Sequence, residues 1–160
     1  MNILEGLKQR HSKLLVVLTA CAMAGLVVAT FADSRKRMIV TPFQDAKFVP
    51  VDPARPEGSQ FAVLSGDPAK GPSAMLLKFK KGSNPLHIHT SDYHLVVVQG
   101  TMKHWEEGEQ EADAKPLGPG SYWFQPGNQA HAGSCLTDEC IMFVKWEGKR
   151  DSRLAEAPKK

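Results

Sequence analysis

Apolar and polar positions alternate in short bursts along most of this chain, and glycine, proline, aspartate and serine separate the bursts. Successive side chains of a β-strand face opposite sides, so a short alternating run between such breakers predicts a half-buried strand. The pattern places strands at Lys47–Val51, Gln60–Leu64, Ala74–Phe79, Leu86–His89, Tyr93–Gln99, Thr101–Glu106, Ser121–Gln125, Gln129–Gly133 and Ile141–Trp146. Ser65-Gly66-Asp67-Pro68 and Gly118-Pro119-Gly120 supply turn chemistry between them. Many short strands at this spacing indicate an all-β sandwich or barrel. The 160 residues fit one domain with enough interior to fold alone.

One segment breaks the pattern. Leu14 to Ala32 carries no charge and follows Lys8, Arg10 and Lys13, which face only Glu5. It is longer than the usual core of a cleaved signal and just long enough to cross a bilayer as a helix. Residues 1–32 therefore read as an N-terminal hydrophobic export or anchor helix, in three versions that stay open. They are an uncleaved anchor, a signal cut after Ala32, and a lipoprotein signal at Cys21 in Leu18-Thr19-Ala20-Cys21. The apolar residues after Cys21 argue against the third, because a polar tether is expected there. Arg35, Lys36 and Arg37 nearly balance the leading cations, but leading basic segments usually set orientation. The expected location is the cell envelope, facing the periplasm or secreted, with membrane attachment if the segment is retained or lipidated. Residues 33–45 read as a linker, 46–147 as the barrel, and 148–160 as a charged tail, either a short helix or disordered. The formal charge of +3 forms no clustered basic face, which excludes a nucleic-acid partner.

Candidate chemistry centres on His87-Ile88-His89 and on His131. Two residues apart on a strand, His87 and His89 point the same way about 6–7 Å apart, a placement that suits adjacent positions on one metal ion. An HxH pair alone is weak evidence, since strand histidines are common. Here Pro85 opens the strand, Thr90-Ser91-Asp92 makes a turn, and Gly100 ends the next β-branched run. A second Gly-strand-Pro-Gly-Asn segment then delivers His131.

These residues resemble the two motifs of the cupin superfamily over roughly Lys78 to Trp146. Gly120, Pro126 and His131 fit the second motif in register, whereas Gly82 stands one residue too close to His87, Gly127 is one place early, and Cys135 replaces the final Asn. The run PLHIHTSDYHLVVVQGTMKHW is similar to small exported bacterial cupins of uncharacterised function. The resemblance implies a single-domain cupin double-stranded β-helix, or jelly-roll barrel.

The family's metal-ligating glutamate is missing. Counting three residues after His89 puts Tyr93 at its position, and counting four puts His94 there. As neighbours on one strand only one of them faces inward. Imidazole is the commoner ligand and favours His94, while the spacing to Gly100 favours Tyr93. The candidate metal set is thus His87, His89, His131 and His94, with Tyr93 and His104 as candidate proton-moving groups. The implied cofactor is one divalent transition-metal ion; iron, manganese, zinc, nickel and copper all accept imidazole. Neutral ligands leave the ion's charge uncompensated, so the site should favour small anionic or chelating oxygen ligands.

Trp105, Tyr122, Trp123, Phe124, Phe143 and Trp146 read first as packing residues, with Trp105, Tyr122 or Phe124 as possible pocket walls. Cys135 and Cys140 enclose Leu136-Thr137-Asp138-Glu139, a turn expected to join two strands. Facing cysteines across a hairpin match disulfide geometry, and an oxidising envelope favours the bond. A metal ligand at Cys135, on the face of His131, is the alternative. Two functions compete: a metal-dependent oxidoreductase, dioxygenase-like, acting on a small chelating anion, and a non-catalytic metal or small-ligand binder used as sensor or scavenger. A homodimer is compatible with either.

Overall fold

A computed structural model describes residues 37–155, and everything below concerns those residues. They form an all-β, cupin-like fold with no α-helix; one 3-10 turn, Phe43–Asp45, precedes the first strand. The strands are β1 (Val49–Pro50), β2 (Gln60–Gly66), β3 (Ser73–Ile88), β4 (Tyr93–Gln99), β5 (Met102–Glu106), β6 (Tyr122–Gln125), β7 (His131–Trp146) and β8 (Arg153–Leu154). No helix among the described residues is long and apolar enough to cross a membrane. The expected export or anchor segment lies outside the described residues.

Two long strands organise the sheet. β3 unites the separately expected Ala74–Phe79 and Leu86–His89, and β7 unites Gln129–Gly133 with Ile141–Trp146. They pair with each other along most of their length. On its other side β7 pairs first with β5, from His131 to Cys135, and then with β4, from Ile141 to Trp146. One strand thereby serves two neighbours, and β6 extends the sheet beyond β4.

The change of neighbour falls at the cysteines. Cys135 pairs with Gly82 and Glu139 with Lys80, so three residues of β7, 136–138, stand opposite the single Lys81. An extra-residue loop of this kind bends a strand. Cys135 and Cys140 are bonded across it, with a Cα separation of 5.9 Å. The disulfide is therefore present, but it closes a loop extruded from one strand and not a hairpin joining two. Its formation removes Cys135 from the candidate metal ligands.

Pro85 does not open a strand; it sits within β3 where the register with β7 shifts between Asn84 and His87. Such a break is where a residue lacking N–H is tolerated. The tail also departs from expectation, since Arg153 and Leu154 pair with Ile88 and His87.

The main core gathers Met75, Leu77, Tyr93, Leu95, Val97, Met102, Met142, Val144 and Trp146 around the disulfide. Ala62, Leu76 and Ile141 pack on the other face with Phe48 and Phe143. Buried residues alternate along β4, where Tyr93, Leu95 and Val97 point into the main core. That phase decides which of Tyr93 and His94 reaches the interior.

Candidate metal centre

Two strand ends deliver the site. His87 is near the end of β3, His89 just follows it, and His131 begins β7 directly opposite His87 in the register. The ring centroids are 4.4 Å apart for His87 and His131, 4.8 Å for His87 and His89, and 5.1 Å for His89 and His131. One ligand-capable nitrogen from each ring lies within 4.8 Å of the other two. Nitrogens sharing one ion at about 2.1 Å are at most about 4.2 Å apart, so small ring rotations would close the set on a metal.

The turn chemistry around the histidines holds the strand ends together. Asn128 donates its N–H to the carbonyl of His89 at 2.7 Å, and Gly127 donates to the Asp92 carboxylate at 2.7 Å. A side chain on Gly127 would overlap the Thr90 carbonyl, which accounts for glycine at this crossing. Asp151, in the tail, accepts from Thr90 N–H at 2.8 Å and from its hydroxyl at 2.6 Å.

Proton placement follows from the partners. His87 Nδ1 meets the carbonyl of Pro85 at 2.8 Å, His131 Nδ1 that of Gln129 at 3.0 Å, and His89 Nδ1 that of Asp151. A carbonyl only accepts, so each Nδ1 carries the proton and donates. Burial pushes the imidazoles below their ordinary range, His89 to about 4 and His131 to about 3. His87 is shifted the same way for the same reason. All three are then neutral near pH 7, with lone pairs at Nε2. Three oriented lone pairs without a carboxylate beside them form a donor set that fits a divalent transition metal.

Tyr93 takes the inward position. Its hydroxyl lies 3.3 Å from His131 Nε2 and 3.5 Å from the indole nitrogen of Trp123. Burial raises the phenol's pKa well above its usual value. His94 does not join the cluster, contrary to its candidacy as fourth ligand. It points from the opposite face of β4, bonds the Tyr122 hydroxyl through Nδ1 at 2.8 Å, and sets Nε2 3.3 Å from Glu147. The pleat is the reason: Tyr93 shares its phase with buried Leu95 and Val97.

His104 reaches the same cavity from β5, stacked on Trp123 at a centroid distance of 4.6 Å and 5.2 Å from the ring of His131. Gln125 donates its amide nitrogen to the Pro126 carbonyl at 3.2 Å, which turns its oxygen toward His104 Nε2 at 2.9 Å. His104 therefore donates from Nε2 and keeps its lone pair at Nδ1. Burial lowers its pKa. The cavity measures about 630 Å³, within the range of small-molecule sites. Trp123 and Trp146 wall it, while Tyr122 and Phe124, two of the expected wall residues, lie on the exposed face of β6. Trp105 is not among the lining residues. Arg150 and Asp151 are site neighbours that sequence reasoning missed, because the tail carries no periodic pattern to mark them as part of the fold.

Comparison with known proteins agrees with the fold. A polyketide cyclase, RemF from Streptomyces resistomycificus, superposes with a TM-score of 0.61 at 20% identity, covering 77% of this chain and 89% of its own. An RmlC-like cupin from Shewanella frigidimarina gives a TM-score of 0.56 at 18% identity, covering 72% and 95%. By sequence, the DNA damage-repair/toleration protein DRT102 of Arabidopsis thaliana is 32% identical over 115 residues, 71% of this chain. That alignment spans only 34% of the relative's length. Residues 40–150 match the family described as a domain of unknown function, DUF4437. With its strand order, its histidine-bearing strand ends and this match together, the chain has a cupin-like fold and belongs to the DUF4437 family.

Proposed function

We propose that this protein is an envelope-located cupin that holds one divalent transition-metal ion on His87, His89 and His131. In this reading it acts as a metal-dependent oxidoreductase on a small chelating anion. The convergence of three neutral imidazoles, each tied through Nδ1 to a backbone carbonyl, carries the reading. When bound, the metal would polarise an oxygen of the ligand. The surrounding residues supply the rest. The Tyr93 phenol, kept protonated by burial, is a proton donor beside His131. His104, neutral and with its Nδ1 lone pair free of Gln125, is a proton acceptor in the same cavity. Trp123 and Trp146 give this end of the cavity apolar walls. The apolar N-terminal run and the disulfide support an envelope location.

The test is metal content of protein purified from its own envelope, followed by dioxygen uptake with a panel of small 2-oxo and dicarbonyl acids. Stoichiometric metal that disappears in His131→Ala, with dioxygen consumed by at least one acid, is expected. Stoichiometric metal without turnover would instead make the protein a binder of metal or small ligands. Absence of metal would remove the reading.

A further inference from the structure

Arg150 is a half-buried cation with no anion paired to it among the described residues. It lines the same cavity as the three histidines and places its guanidinium 5.0 Å from the centroid of the Phe61 ring. Its sequence neighbour Asp151 and the cavity-lining Asp52 are both engaged with other partners. Asp151 gives both oxygens to Thr90, and Asp52 pairs with Arg55 at 2.8 Å. Burial lowers the guanidinium's pKa, the mark of an uncompensated charge. Buried charges are normally paired, because desolvation is otherwise unopposed.

Several features hold this cation in place. Its backbone N–H donates to the Pro68 carbonyl at 2.9 Å, and the Phe61 ring supports one face of the guanidinium. An arginine fixed in this way presents a planar fork that matches a carboxylate. We propose that Arg150 is the carboxylate anchor of the cavity, so that the natural ligand is a small organic acid. Its carboxylate pairs with Arg150 while a second oxygen donor reaches toward His87, His89 and His131. The second half rests on the metal reading above, and the first half does not.

The probes are malonate, with two carboxylates, and malonamide, its neutral counterpart of similar shape. Calorimetry on the full-length, metal-loaded protein should show malonate preferred over malonamide. Arg150→Gln should weaken malonate by roughly 10–100-fold, the range for a lost charged hydrogen-bond partner, and leave malonamide and metal content unchanged. Arg150→Lys keeps the charge without the fork and should fall between. If R150Q does not fold, the malonate-to-malonamide ratio in R150K decides, since a purely structural arginine would leave that ratio at its wild-type value. Equal malonate binding by wild type and R150Q, or no preference for malonate in the wild type, overturns the proposal. Malonate affinity that is unchanged by stripping the metal but still falls in R150Q would defeat the metal reading alone.

Discussion

His131 is almost completely buried, faces His87 across a strand pair, and bonds Gln129, which makes it the most constrained ligand of the cluster. His131→Ala should therefore weaken metal binding by more than the roughly 10–100-fold typical of outer-shell changes. Metal titration of the apoprotein measures this. His94→Ala should leave affinity within about twofold, because surface groups away from a site rarely perturb it. Tyr93→Phe should retain the metal yet slow any turnover that needs a proton from the phenol. A variant of His94 that lost metal would require the outer face of β4 to turn inward. Tyr93 could be set against His94 only by structure, because Leu95, Val96, Val97 and Val98 are apolar at both parities of the strand. Composition there names no inner face.

At the scale of elements, the loop in β7 does the bending that a hairpin was expected to do. Thr137 accepts from Thr101 N–H at 3.2 Å and donates to the Glu139 carbonyl at 3.0 Å, tying the loop to the β4–β5 turn. Gly100 in that turn has φ +81°, and a side chain there would meet Glu139, Thr137 and Cys140. Gly100→Ala should destabilise by roughly 1–3 kcal/mol, the range for a non-glycine residue held in the left-handed region. Urea unfolding checks this. The disulfide encloses a short loop, so replacing both cysteines by serine should cost about 2 kcal/mol at most by the loop-entropy argument. A much larger loss would mean that the bond also sets the position of β5 against β7.

For the whole molecule, burial of neutral imidazoles makes stability depend on pH. In the folded protein His89 titrates at about 4 and His131 at about 3, against about 6.5 in an unfolded chain. Between these values the unfolded state binds more protons, so stability is complete above about pH 6.5 and is lost progressively as pH falls toward about 3. The metal-free protein should show a falling melting temperature across that window. His89→Ala combined with His131→Ala should flatten the profile, and added metal should raise stability most at the upper end, where the ligands are unprotonated.

The alternating pattern by itself determined that the described residues are all-β and where most strand cores lie. It also determined that His87 and His89 share a face, because the two-residue period of a strand is local and independent of packing. The spacing of the second glycine- and proline-marked segment marked His131 as their partner, and the two cysteines were close enough in sequence to be bonded. Tertiary structure alone decided which absolute face each strand turns inward, and hence Tyr93 over His94. It decided that four expected strands are two long bent ones, since continuity across Pro85 and across the disulfide loop depends on the partner strand and not on local propensity. It also brought His104, Trp123, Trp146 and Arg150 into one cavity. Those contacts join residues far apart in sequence, and no period along the chain encodes a distance of that kind.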